Sequence, residues 1–382
     1  MRSIDTDVEE SVLKTLREGR LFRYGGSQDS VNAVKSLEES FANALGVEYC
    51  LGVNSCTSAL YLAILGAGVK PGDGVLIPAF TFVAVPSAVI QAGAIPILVE
   101  IDEDYVIDLD CLERAITDNT KYLLLSYMRG RVPDMDRVQS ICAKHNLILI
   151  EDAAHSLGVK YKDIHTGKFG AAAAFSFQSY KMLDAGEGGL LITDDASIAM
   201  RALIQSGCYE ENFRKHNLDS VAEKELQKLA GTLPVYNFRM SNLTASALLP
   251  QLEKIEDRVQ QFNENYLVLE SILKESPKIR IPQFKEDVEP VCDSLQFYID
   301  QSVPVEKFEK LKSGCVAQGF SVNLFGFDEF NARCFWNWKF IDQQDLPTTR
   351  TILERTADLR LPLDTSLEQL EVLGESILEA LH

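Results

Sequence analysis

Runs of consecutive apolar residues recur along the first half of this chain, at residues 49–53, 75–78, 95–101, 122–126, 147–151, 172–177 and 190–193. Each is short and apolar in all but one position or fewer, which predicts a strand buried on both faces. Helical spacing fills most of the gaps. Val8, Val12, Leu13 and Leu16 form one stripe that stops at Gly19, and Leu37, Phe41 and Leu45 form another that stops at Gly46. Residues 19–26 read as an ordered loop between them, and further helices are predicted over 59–65 and 83–92. Such alternation implies a largely parallel sheet with helices on both faces.

After Thr193 the pattern changes. A helix is predicted over 198–205, a polar and charged stretch follows over 209–228, and a long amphipathic helix is predicted over 241–273. Its stripe is Leu243, Ala247, Leu252, Ile255 and Val259. A strand over 294–299 and helices over 305–318 and 367–381 make a small α+β unit. A chain of 382 residues exceeds one ordinary core, so the expected division is a large domain over 1–245 and a small one over 246–382.

Composition removes several roles. A formal charge of −19 with no Lys/Arg run argues against nucleic acid and anionic membranes as partners. The eight cysteines form no Cys-x-x-Cys pair and the five histidines do not cluster, so no metal site and no disulfide framework is expected. Residues 1–5 are polar and acidic where a signal peptide would be apolar, and no apolar run is long enough for a bilayer; a cytoplasmic protein is expected.

Candidate chemistry centres on Lys181, which lies on a tight connection between the apolar runs 172–177 and 190–193, just before Gly186, Gly188 and Gly189. A lysine held against apolar walls loses hydration, which lowers its pKa and frees the amine for Schiff-base chemistry. The bland reading is a loop lysine beside a glycine turn. Upstream, the strand at 147–151 runs into Glu151 and Asp152. A carboxylate at a strand end can keep a pyridine nitrogen protonated, which pyridoxal phosphate needs alongside a lysine; alternatively Asp152 is the N-cap of a helix that starts at Ala153. Asn54-Ser55-Cys56-Thr57-Ser58 opens a helix, either as a phosphate grip or as a simple cap.

Six segments in order resemble the DegT/DnrJ/EryC1/StrS family of pyridoxal-phosphate sugar aminotransferases: 54–60, 71–84, 134–136, 151–155, 176–189 and 237–241. The resemblance implies the fold type I, aspartate-aminotransferase-like α/β architecture, with a mostly parallel seven-stranded sheet and a small C-terminal α+β domain. It implies that Lys181 carries the cofactor, Asp152 pairs with the ring nitrogen, Phe82 stacks on the ring and His155 lies beside its hydroxyl. Thr57, Ser58 and Ser176 are implied to hold the phosphate. Asn237 is implied to reach in from a neighbouring subunit, which makes a homodimer the active unit. Taken singly, Phe82 is also explicable as core, His155 as a satisfied helix residue and Asn237 as a turn former.

Two departures bear on the reaction: Cys56 stands where the family commonly has glycine, and Ser126 where many members carry histidine. The loop with Arg23 and Tyr24, and the segment 335–339, are similar to a subgroup containing the 8-amino-3,8-dideoxy-octulosonate transaminase. Arg23, Arg129 and Arg239 are the cations nearest the matched segments, which predicts an anionic acceptor; the alternative is that they pair with the abundant acids. The expected activity is amine transfer from glutamate or glutamine to a keto or aldehyde sugar-like acceptor, because position 181 is lysine where family dehydratases replace it. The alternatives are a cofactor-binding regulatory homologue without turnover, and an enzyme of this fold with a non-sugar substrate.

Overall fold

The computed structural model describes residues 5–25, 32–216 and 218–382, so Gly26 at the end of the expected loop lies outside the described residues. The first half contains β1 (Tyr49–Val53), β2 (Gly74–Pro78), β3 (Ile95–Val99), β4 (Thr120–Ser126) and β5 (Ile148–Asp152). The two-residue pair β6 (Lys160–Tyr161) and β7 (Ile164–His165) follows, then β8 (Ala172–Ser176) and β9 (Gly189–Thr193). Every predicted apolar run is a strand. Seven of these strands form one sheet in the order β1-β9-β8-β5-β4-β2-β3. Neighbours from β8 to β3 are parallel, whereas β9 is antiparallel to both β8 and β1.

The uniform apolarity has a direct cause. Val75 and Ile77 of β2 join one apolar cluster and Leu76 joins another, and Tyr122 and Leu124 of β4 are likewise separated from Leu123 and Leu125. Successive side chains point to opposite faces, and helices cover both. Parallel pairing then brings the C-terminal residues of β4, β5 and β8 to one edge, with Ser126 opposite Asp152 in register.

Two expectations fail in the second half. The stretch 209–228 contains a helix, Ser220–Leu229, capped by Asp219 and burying Ala222, Leu226 and Leu229. The long helix is two, Asn242–Leu252 and Ile255–Leu273, because Lys254 leaves helical geometry at φ −98°, ψ 5°. The first packs on helices Thr6–Glu18 and Ala33–Leu45 and the second on the C-terminal helix Leu367–Leu381. Two different partners therefore claim one continuous stripe. The division expected after residue 245 falls inside the first helix.

The remaining strands are β10 (Ile279–Arg280), β11 (Val288–Glu289), β12 (Ser294–Ile299), β13 (Val322–Leu324) and β14 (Thr356–Arg360). β11 pairs with β6, and the others form an antiparallel sheet in the order β10-β12-β14-β13. One face of that sheet carries Leu295, Phe297, Leu324, Ala357 and Leu359 into an apolar cluster with the C-terminal helix. By strand alternation the other face carries Ser294, Gln296, Asn323, Asp358 and Arg360, with Ser294 opposite Arg360 and Asp358 opposite both Gln296 and Asn323. Among the described residues no helix is long and apolar enough to cross a membrane.

Candidate active site

Lys181 sits on a loop that is held down at several points. Backbone bonds close it from Phe177 N to Gly188 O at 3.0 Å and from Ser179 N to Gly186 O at 3.1 Å. Two side chains grip it from below: Gln251 Nε2 donates to Asp184 O at 2.7 Å and Arg258 Nη1 donates to Met182 O at 2.8 Å. Tyr180, the residue before the lysine, has φ 79°, a conformation that costs a side-chain-bearing residue free energy. The lysine amine points inward, 2.7 Å from His155 Nε2. Burial pulls its pKa down to about 7, assisted by the charges of Arg360 and Arg129 and opposed by Asp293 and Asp152.

Asp152 and Glu151 end the same strand, yet the fold gives them different work. Glu151 faces the interior and is saturated, accepting from Tyr127 Oη at 2.6 Å and from the amides of Gly167, Phe169 and Gly170 at 2.7, 2.8 and 2.6 Å. Asp152 is the carboxylate at the site. Its Oδ2 accepts from Ser126 Oγ at 2.7 Å, and Ser126 in turn accepts from Thr81 Oγ1 at 2.8 Å. The residues after Asp152 form turns rather than a helix, which removes the N-cap alternative. Burial raises the Asp152 pKa, opposed by the Ser126 hydroxyl, the Ala154 amide and Lys181. Serine at position 126 is therefore the orienting partner of Asp152.

His155 is kept neutral by burial first and then by Lys181, Arg129, Arg360 and Arg333. If Nε2 accepts from the lysine amine, Nδ1 carries the proton, and Nδ1 is buried with no hydrogen-bond partner. An oxygen acceptor placed there would satisfy it. The helix Cys56–Gly66 supplies the other end of the site. Ser55 caps it by accepting from Ser58 N at 3.1 Å, and Ser58 Oγ donates to Asn54 Oδ1 at 2.7 Å, while Cys56 and Thr57 head the helix with amides that find no acceptor inside it. A Cβ on Gly189 would stand 2.6 Å from Cys56 N, so glycine is what lets β9 pass under this turn. Cys56 is half-buried, and burial and Asp152 raise its thiol pKa well above the usual value, so it stays protonated at this end. Ser176 ends β8, buried, and Phe82 leaves 43% of its surface exposed, an open ring for a flat ligand.

The orphaned His155 nitrogen, the strand-end carboxylate, the buried amine and the free helix N-terminus fit the ring oxygen, ring nitrogen, aldehyde and phosphate of pyridoxal phosphate. Asn237 lies on an exposed extended segment.

The arginines separate. Arg23 is buried, donating to Glu38 Oε2 at 2.7 Å and contacting His216 Nδ1 at 3.2 Å, while Tyr24 Oη lies 3.0 Å from His216 Nε2. Arg239 donates to Gly207 O at 2.9 Å and lies over the Phe22 and Tyr209 rings. For these two, the alternative of internal pairing describes what is seen. Arg129 pairs with Asp358 at 2.5 Å, both side chains fully buried, and its charge bears on Lys181. Arg333, Arg360, Asp293 and Asp358 join the same region, and none was singled out in the sequence; the polar positions of 356–360, alternating with apolar ones, were the available signal.

A model of the DegT/DnrJ/EryC1/StrS aminotransferase family matches residues 3–378. GDP-perosamine synthase of Caulobacter vibrioides is 32% identical over 227 residues, 59% of this chain and 58% of that protein. L-glutamine:scyllo-inosose aminotransferase of Streptomyces griseus is 34% identical over 229 residues, 58% of this chain and 52% of that protein. The chain thus matches little more than half the length of these relatives. The crystal structure of 3-amino-5-hydroxybenzoic acid synthase superposes with a TM-score of 0.84 at 24% identity, covering 99% of this chain and 97% of that one. An E. coli GDP-4-keto-6-deoxy-D-mannose-3-dehydratase with bound hydrated PLP also superposes at 0.84, with 21% identity, over 99% and 98% of the two chains, so the shared fold does not by itself select the reaction. With a family match over nearly its whole length and a site whose parts fit the family's cofactor, this chain belongs to the DegT/DnrJ/EryC1/StrS aminotransferase family.

Proposed function

We propose that this chain is a pyridoxal-phosphate-dependent aminotransferase that takes an amino group from glutamate or glutamine and delivers it to the keto or aldehyde carbon of a sugar-like acceptor. One observation carries the reading: a buried lysine amine with a pKa of about 7, hydrogen-bonded to His155 in the same pocket as an oriented strand-end carboxylate. When bound, the cofactor supplies the electron sink that makes a C–H bond beside the transferred nitrogen breakable. The chain's residues do the rest. Asp152, kept in place by Ser126 and Thr81, would hold a proton on the ring nitrogen. Lys181 Nζ, whose pKa of about 7 leaves about half of it unprotonated at pH 7, would anchor the cofactor and serve to move the proton at the substrate carbon. Thr57, Ser58 and Ser176 would hold the phosphate, Phe82 would cover one ring face, and His155 Nδ1 would donate to the ring oxygen.

The names of the relatives support a sugar-like acceptor, and the likeness to 3-amino-5-hydroxybenzoate synthase of Amycolatopsis mediterranei, 30% identical over 272 residues, supports a cyclic non-sugar acceptor as the second reading. The test is the first half-reaction. Glutamate or glutamine should convert the bound cofactor to its amine form, seen as loss of the long-wavelength absorbance band. If no amino donor does so, the reading falls and the regulatory alternative replaces it.

The active unit in this proposal is a homodimer. Asn237 stands on an exposed segment with Val235 and Tyr236, and Phe82 and Tyr180 are exposed beside the site, which supports an interface that shares the cofactor. Light scattering is expected to return twice the chain mass, and the half-reaction rate per chain should fall on dilution into monomer. A monomer at full activity overturns the dimer. A cytoplasmic location is part of the proposal, supported by eight cysteines that stand as free thiols.

A further inference from the structure

The Lys181 loop is fastened by two buried side chains, Gln251 and Arg258, that bond to each other as well as to the loop. Gln251 holds Asp184 from both sides of its peptide: Nε2 donates to Asp184 O at 2.7 Å and Oε1 accepts from Asp184 N at 3.1 Å. Arg258 Nη1 donates to Met182 O at 2.8 Å and to Gln251 Oε1 at 3.0 Å. It therefore fixes the main chain one residue past the lysine and steadies the amide that holds the chain three residues past it. Arg258 Nη2 faces Asp5 Oδ2 at 3.8 Å, a partly exposed carboxylate. Burying a cation is costly, and a guanidinium kept for a main-chain carbonyl offers stiffness in return, because its planar fork loses little freedom for each hydrogen bond it makes.

Stiffness matters at this point of the chain. Tyr180 is held at φ 79° with its ring largely exposed, so nothing in its own packing opposes a return to an easier conformation. That return would swing the next residue, whose amine lies 2.7 Å from His155 Nε2. The carbonyls of Met182 and Asp184 are where the swing is stopped. Arg258 acts here through the main chain, since the charges that bear most on the lysine amine are those of Arg360, Arg129, Asp293 and Asp152.

We infer that Arg258, together with Gln251, is a positioning residue for Lys181: the pair holds the lysine amine in its inward orientation beside His155. The inference rests on the role proposed for Lys181 and adds the residues that make it effective. Arg258→Gln is the informative variant, Gln251→Met a second one that removes the bonds to Asp184, and Arg258→Lys the conservative replacement that keeps a donor for Met182 O. Leu269→Ala is the control for lost stability, on the same helix but buried in the apolar cluster that includes the C-terminal helix.

The test offers two forms of the cofactor to the full chain freed of cofactor. Pyridoxal phosphate needs the lysine amine for covalent capture, whereas pyridoxamine phosphate, which lacks the aldehyde, relies on the rest of the pocket. Arg258→Gln should slow capture, trapped with borohydride and read by mass, roughly tenfold to a hundredfold, while Kd for pyridoxamine phosphate stays within about threefold of wild type. In the reloaded enzyme, kcat of the half-reaction with glutamate or glutamine should fall by a similar factor with KM little changed. Gln251→Met should show the same split, Arg258→Lys should recover part of the rate, and Leu269→Ala should lower the melting temperature without slowing capture per folded chain. Capture at the wild-type rate in both Arg258→Gln and Gln251→Met, loss of capture and pyridoxamine phosphate affinity together, or equal slowing by Leu269→Ala overturns the inference and leaves the pair a purely structural tie. The split in capture with a wild type whose cofactor no amino donor converts would overturn the activity and leave the positioning role standing. A wild type that captures pyridoxal phosphate at no lysine overturns both.

Discussion

Lys181→Ala protein will still take up pyridoxal phosphate, but borohydride will leave no cofactor mass on the chain and amine transfer will fall by roughly four orders of magnitude. The phosphate grip, Asp152 and His155 are untouched by the substitution, so affinity persists while the anchoring and proton-moving amine is gone. The pH dependence has a definite sign. With the lysine pKa lowered from 10.5 to about 7, the free amine fraction grows as pH rises through about 7, and cofactor capture by wild type should accelerate over that interval. Stability follows the same linkage. Between pH 7 and 10.5 the unfolded chain binds a proton at this lysine that the folded, cofactor-free chain does not, so stability is full above 10.5 and declines as pH falls toward 7. Lys181→Ala in the cofactor-free state should therefore be more stable than wild type at neutral pH, and the gain should vanish near pH 10.5. Covalent trapping at another lysine, or a variant that retains a tenth of wild-type transfer, would remove Lys181 from its assigned role.

Asp152→Asn is expected to lower amine transfer by roughly 10³-fold, about 4 kcal/mol of barrier, because an amide cannot hold the ring nitrogen protonated. Asparagine keeps the shape and can still accept from the Ala154 amide through its one oxygen, while its NH2 group would face Ser126 Oγ and reverse that hydrogen bond. Burial already raises the pKa of Asp152, so its charged form is disfavoured in the folded, cofactor-free chain, and loss of the charge should leave thermal stability equal or higher. Ser126→Ala should be milder, near tenfold, since it frees the carboxylate to turn without discharging it. Thermal melts and single-turnover rates on the three proteins separate these outcomes. An Asn variant that is unstable but, when folded, fully active would show that Asp152 serves only the fold.

The large sheet was legible because burial on both faces writes itself into short apolar runs, and Lys181 and Asp152 stood out because one lies on the tight connection between two such runs and the other at the end of one. The helix break at Glu253 and Lys254 was not, since the apolar stripe continues through it and only the change of packing partner marks it. Arg360 was missed for a related reason. A strand that alternates Asp358 and Arg360 with Ala357 and Leu359 looks like one with a wet face, and it is the packing of that face against the lysine pocket that makes it chemical. Arg23 shows the converse: a cation beside matched segments whose partner, Glu38, becomes visible only once helix Ala33–Leu45 is folded back onto the loop.

The two helices on either side of that break both grip the lysine loop, Gln251 from one and Arg258 from the other. The loop is thus a splint across a joint. Bending between the helices must stretch the bonds at Asp184 or Met182, and a displacement of the peptides around Lys181 must in turn bend the joint. The second helix packs on the C-terminal helix behind the small sheet, so one helix joins the lysine loop to the core beneath the arginine-bearing face.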